Sequence, residues 1–523
     1  MVRVSKTFQE LRELVRIVSI AGPQEGLTLS LKTIAKSQSP YARLFRALHE
    51  NPGLNEGSSF RDIFPVEAEA GPAAQLQQIS EQRSDGRNRK VKSRLKTRLL
   101  NTLFVLNLAD AGYSVYSQTL YSVNRTVFLC RVLRVFGARE LSVPFGRSGL
   151  SKAMIIEEWS CALEFLSILR IDAARRGASK AHRVYAAQAE HCHRLREAEE
   201  AAEICVENLQ IAFVKSGGEK PAHATEAVAG AEIVGRLSEQ FPSFKLSFLA
   251  LRLRALASQL RMDYLATVKL CDDALELLKQ YPIFSNHARI GEYALMGLIS
   301  SIQGHNHEAV SRYIELCEKH LDKREDNWLN FKEFQYLHLM HSLAFKDAFR
   351  LVQDILSNTR YEIQAEAVHD RWSLFRLNAE FATGARVPVT KYEDFAALVP
   401  SLTADKAGLN TSMILLHILL LAERKQFGEL RDRIEFIRGY RKRHLKGAEN
   451  SQMNRFFKML ELIETCDLNY IKIVRKSRTL LEELKQSEAN EPIQGEQILP
   501  ATWIWNYLME QLREYHPVNT RMG

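Results

Sequence analysis

Three stretches of this sequence carry residues whose types and spacing suit chemistry. The densest is RSDGRNRKVKSRLKTRLLN, residues 83–101. Its cations are Arg83, Arg87, Arg89, Lys90, Lys92, Arg94, Lys96 and Arg98, and its one acid is Asp85. Val91, Leu95, Leu99 and Leu103 recur every four residues, so one side of a helix faces a core and the cations cover the rest. Arg87, Arg89, Lys90, Lys92, Arg94, Lys96 and Arg98 would then suit the phosphate backbone of a nucleic acid. The run has no aromatic side chain to stack on bases, so it supports phosphate contact without base reading. A solvated helix face accounts for the same residues. The second stretch, RGYRKRHLKG at 438–447, ends a helix, where cations complement the macrodipole. The third, EHCHRLRE, brings together the metal-ligand types His191, Cys192 and His193. Two residues apart on a helix, the two imidazoles point to different sides, and no second pair at ligand spacing follows. A metal centre is not expected, nor any other cofactor.

Catalytic signatures are missing. The sequence has no phosphate-cradling GxxxxGK followed by Ser or Thr, no GxSxG elbow and no HExxH. A non-catalytic protein is expected. An active site assembled from distant residues leaves no such trace, so an enzyme stays as an alternative.

The elements that must position these residues follow from composition and periodicity. The chain has 523 residues, 46% of them hydrophobic and 25% charged, as in ordinary folded proteins. Fourteen prolines favour long helices over proline-rich turns. The net charge of +9 is unevenly placed: residues 1–150 hold 22 basic and 12 acidic side chains, leaving 49 and 50 for the remainder. Such asymmetry marks an anionic partner or serves solubility. The seven cysteines are scattered and odd in number, as reduced thiols in a cytoplasmic protein are. The first twenty residues carry charges throughout and lack the apolar run of a signal peptide. MILLHILLLA, 413–422, is too short to span a bilayer and reads as a buried helix. No membrane partner is expected.

From about residue 150 onward the pattern is helix, short break, helix. Short connections make neighbouring helices antiparallel. In SSIQGHNHEAVSRYIELCEK, 300–319, one helix ends at Gln303 and the next begins near His307. Gly304 is placed to take the positive φ of a helix end. Two antiparallel axes come closest near such a turn, so Gly297 and Ala309 supply small side chains there and Tyr313 a large filler one turn on.

These residues resemble the tetratricopeptide repeat (TPR). Tyr293, Gly297, Gly304, Ala309 and Tyr313 fall at that family's spacing of bulky, small, turn-glycine, small and aromatic positions. A looser copy has Ala255 in the place of Gly297, a turn at Asp263–Tyr264, then Ala274 and Pro282; Thr267 departs from the small residue at 309. The spacing of these copies, 42 residues, exceeds the family's about 34, and weaker echoes lie at Ala348 and Leu430. The resemblance implies an all-α fold of helical hairpins stacked as a solenoid, with a concave groove lined by the first helix of each pair. On this chain those positions are Arg252, Gln259, Ala294, Leu298 and Ser301. They include no basic clamp for a terminal carboxylate.

The expected organisation is a small helical region at 1–64, a linker at 65–88, a basic helical region at 89–149, TPR-like repeats at 150–487, a linker at 488–499 and a capping helix at 500–523. The stripe of Trp503, Ile504, Tyr507 and Leu508 would cap the last repeat, or dock on a partner or a second copy. A scaffold or adaptor for a protein or peptide is the first expectation. A regulator holding nucleic acid through its basic N-terminal helices is the alternative.

Overall fold

The computed structural model describes residues 6–20, 39–51, 73–105, 108, 113–215, 220–323, 325–358, 361, 364–385, 387, 394, 409–444, 452–493 and 497–515. Of 6, 20, 73–87, 105, 212–215, 220–224, 409, 440 and 442–444 only the backbone is described. Among these residues there are twenty α-helices and no strand, and consecutive helices pack in series. No helix of the described residues is long and apolar enough to cross a membrane. The chain divides into two compact units, 1–199 and 200–523.

In the first unit, α1 (Lys6–Ile20), α2 (Pro40–Glu50) and α3 (Ala73–Thr102) pack around one core. α1 supplies Phe8, Leu11, Val15 and Val18, α2 supplies Leu44, Phe45 and Leu48, and α3 supplies Leu95 and Leu99. The stretch 65–88, expected as a linker, is therefore helical from residue 73 on. Its alanines and glutamines hold a helix without a large apolar stripe. α4 (Val115–Val135), α5 (Arg139–Ile155), α6 (Trp159–Arg175) and α7 (Ser179–Lys215) follow as a run of hairpins. Their turns, at Gly137, Glu157 and Gly177, recur every twenty residues. The unit boundary falls inside α7, within the stretch expected to form a single run of repeats.

The second unit continues with α8 (Lys220–Gln240), α9 (Phe244–Leu260), α10 (Tyr264–Gln280), α11 (His287–Gln303), α12 (His307–His320), α13 (Asp326–His341), α14 (Phe345–Leu356) and α15 (Glu366–Ala382). It closes with α16 (Leu409–Glu423), α17 (Phe427–His444), α18 (Gln452–Thr465), α19 (Tyr470–Asn490) and α20 (Ala501–Tyr515). The ten-residue apolar run 413–422 lies in α16 and is buried along its length, as its composition requires.

One corner is used throughout. At nine helix ends among the described residues, the backbone N–H one past a positive-φ residue donates to the carbonyl five residues before it, at 2.8–3.0 Å. This is the Schellman closure of a helix. Three of the nine positive-φ residues are Gly137, Gly177 and Gly384; others are Glu157, Met262, His305, Leu343 and Lys425. Gly304 does not carry the positive φ expected of it: its φ is −92°, and His305 turns the chain at +54°. The αL residue is the second after the last helical residue, and that register falls on the histidine. Asn306 follows as N-cap, its side-chain oxygen accepting from Ala309 N–H at 3.2 Å.

α20 packs against α16 and α19. Its first turn is held by Glu488 of α19, whose carboxylate accepts from Thr502 N–H at 3.0 Å and from the Thr502 hydroxyl. Ile504, Trp505, Leu508 and Leu512 are buried. Trp503 lies edge-on to Phe345 at 5.3 Å and Tyr507 edge-on to Phe381 at 5.3 Å. The stripe expected to cap the last repeat thus packs against the chain's own helices, with Trp503 and Tyr507 half-buried.

Candidate functional site

The hairpin signature is built at Gly297 and Tyr313. A Cβ on Gly297 would sit 2.3 Å from the Tyr313 ring, so glycine is what lets the far edge of that ring press against α11. The Tyr313 hydroxyl donates to Asp272 Oδ1 at 2.8 Å, and Arg312 holds the same carboxylate at 2.8 Å. Tyr293 packs edge-on to Phe248 at 5.1 Å and its hydroxyl donates to the Phe248 carbonyl at 3.4 Å, which ties α11 to α9. Burial pushes both phenols far above their usual range. Burial also pushes the Cys271 and Cys317 thiols up to about 12, so these cysteines are packing groups and not nucleophiles.

A second copy of the signature lies in the first unit. A Cβ on Gly149 would meet the Phe165 ring at 2.3 Å, and the two are sixteen residues apart, as are Gly297 and Tyr313. The positive-φ residue follows the glycine by eight in both, at Glu157 and His305. Sequence reasoning missed this copy because Cys161 stands where Ala309 does. The interval from glycine to ring was the signal available.

The groove expected along the first helices is not formed by the residues named for it. Ala294, Leu298 and Ser301 are fully buried on one face of α11, whose opposite face carries the half-buried Glu292, Met296, Ile299 and Gln303. Arg252 spends its guanidinium on Glu292 at 2.9 Å, and Gln259 is half-buried.

The structure also joins residues that the sequence keeps far apart. A cleft of about 550 Å3 lies between the turns of α11–α12 and α13–α14 and the segment leading into α20. His305, His307, His338 and His341 line it. His305 Nε2 is 2.8 Å from the carbonyl of Glu491, and His341 Nε2 is 2.8 Å from that of Gln497. Each imidazole N–H donates to main chain about one third of the sequence away. Burial and the neighbouring imidazoles push the pKa of His338 and His341 down, so both are neutral near pH 7. Among the described residues no cluster of three metal-ligand types has metal-binding geometry. His191 and His193 are exposed while Cys192 is buried, its thiol 3.8 Å from Met154 Sδ.

The basic run divides. Lys96 Nζ is 2.5 Å from Glu10, and the Arg98 guanidinium lies 4.5 Å from the centre of the Tyr41 ring. Lys92 is half-buried. Arg89, Lys90 and Arg94 stand exposed on α3 with no partner for their charge among the described residues. Arg87 falls where the side chain lies outside the described residues. In the second basic zone Arg438 pairs with Glu464 and Arg441 with Glu461 at 2.8 Å, which joins α17 to α18; the side chains of Lys442, Arg443, His444 and Lys446 lie outside the described residues. In comparisons with known proteins, no family model, no curated protein and no solved structure matches this chain.

Proposed function

We propose that this chain is a non-catalytic interaction scaffold of TPR-like helical hairpins, working in the cytoplasm and holding a protein or peptide partner. The observation that supports it is the repeated hairpin: one backbone corner used nine times, with a glycine seated under an aromatic ring at both Gly149 and Gly297. Regular hairpins in series present long surfaces whose side chains are free to vary. The test is retention of protein partners by the immobilised full chain at near-physiological salt, with a Gly297→Ala chain alongside. Retention that is lost when the hairpin is broken supports the scaffold. A chain that retains nothing overturns it.

A second reading, contact with nucleic-acid phosphates through a basic helical N-terminal domain, is favoured by the exposed cations Arg89, Lys90 and Arg94, which have no charge partner among the described residues. Three phosphate contacts would give a slope of log affinity on log salt of about −2.7. Duplex and single-stranded oligonucleotides titrated across salt measure it. Binding unchanged by reversing these three charges sinks this reading.

A further inference from the structure

α19 and α20 leave between them a groove of about 690 Å3. Ile471, Val474 and Leu481 of α19 share a stripe along it, and Trp505 and Met509 of α20 form the opposite wall. The α20 pair is buried, but Ile471 and Val474 stand 50% and 42% exposed, so two aliphatic side chains one turn apart face water. From 471 to 481 the stripe runs about 15 Å, close to three turns of helix.

The rim is cationic. Arg475 and Arg478 line the groove, and Lys472 and Lys476 are exposed on the same two turns. None of these four side-chain charges has a partner among the described residues. Elsewhere in the unit Arg438, Arg441 and Arg455 are each held by a carboxylate. The one acid lining the groove, Glu482, is taken by Lys485 at 3.0 Å. The first turn of α19 has no acidic residue, and the macrodipole already makes that end positive. Stability of the helix alone would favour carboxylates there. Lys472, in that turn, adds to the field instead of offsetting it, which suits an anion arriving from outside.

We infer that this groove docks an acidic amphipathic helix of a partner protein. Its apolar side chains, at i, i+3, i+4 and i+7, would cover Ile471 and Val474, and carboxylates on its flank would meet Arg475 and Arg478. A nucleic acid would leave the aliphatic stripe uncovered, and the Trp505 ring is too deeply buried to stack on a base. The inference rests on the scaffold reading above and names the chemistry of its partner.

The probe is a short synthetic helix with leucines at i, i+3, i+4 and i+7 and glutamates elsewhere, labelled with fluorescein and titrated with the full chain. Saturable binding is expected, weakened about tenfold or more by Arg475→Glu with Arg478→Glu. Val474→Asp should weaken it likewise, with melting curves of both variants unchanged. A peptide with lysine in place of each glutamate should bind at least as poorly as the variants do. Equal binding of the acidic and basic peptides overturns the inference. So does equal binding of an acidic peptide whose leucines are serines, which would mark a surface for charge alone. Displacement of the probe by an equal concentration of oligonucleotide would assign the surface to phosphate, and self-association lost in the arginine variant would assign it to a second copy; either result overturns the proposal. Partners retained equally by wild type and the arginine variant would sink this groove and leave the scaffold standing, whereas retention of nothing would sink the scaffold.

Discussion

Among the described glycines, the two under an aromatic ring leave the least room for a side chain. At Gly297 and Gly149 a methyl group would enter the ring of Tyr313 or Phe165, and a ring wedged between two helices has nowhere to retreat. Gly297→Ala and Gly149→Ala should each cost about 1–3 kcal/mol, the usual range for overpacking, and lower the melting temperature of the unit that carries them. Alanine variants that melt with wild type would mean the rings move freely. The opposite sign is expected at Met262, which is exposed and holds φ at +59°. A side chain costs roughly 1–2 kcal/mol there, against about 0.5–1 for the entropy of a new glycine, so Met262→Gly should stabilise by roughly 0.5 kcal/mol. A fall in melting temperature would refute this. The glycine at 297 was readable from sequence because a close helix crossing takes only a small residue. The turn residue was not: a glycine beside the corner drew the assignment, while the helix register placed the left-handed residue at His305.

Helices and their breaks were legible because apolar residues recur at helical spacing and the corners are short. What lay beyond reading was which side of a helix remains open. Ala294, Leu298 and Ser301 look available on an isolated pair, yet the folded chain covers the face of α11 that carries them and leaves Met296 and Ile299, on the other face, half-open. Contacts across long separations were equally hidden, and the histidine cleft is the main case. His338 and His341 have folded-state pKa values below the unfolded value of about 6.5, so below that pH the unfolded chain binds more protons than the folded one. Stability is unaffected above this value and falls as the pH drops through it toward the lowered folded values. Lys485 lines the same cleft, and its two carboxylates are engaged, Glu488 with Thr502 and Glu491 with Arg455. The second unit should therefore loosen on acidification, and His341→Gln, which keeps an N–H for the Gln497 carbonyl, should lose less melting temperature between neutral and mildly acid pH. Equal losses would show that the imidazole does not couple folding to protons.

At the scale of the molecule, residues 497–515 complete the packing of the second unit. Removing residues 491–523 would uncover Phe345, Phe381 and the side of α16 that α20 covers. The truncated chain should bind a hydrophobic dye and lose the cooperative melting of the second unit, while the first unit still melts as a unit. A truncation that keeps both transitions would make α20 an ornament. The sequence suggested a terminal cap from the stripe of Trp503 and Tyr507, and these residues do pack inward. It did not show that the cap grips the turns of hairpins far up the chain, because a carbonyl at Glu491 or Gln497 looks like any other until an imidazole meets it.

The shared corner has a consequence for how such a chain grows. It is closed by main-chain atoms and accepts glutamate, methionine, histidine, leucine or lysine at its left-handed position. A duplicated pair of helices would arrive with its own joint already complete, needing no matching residue in its neighbours. Lengthening by copying is then limited by how well flanks fit, and scarcely at all by the hinges.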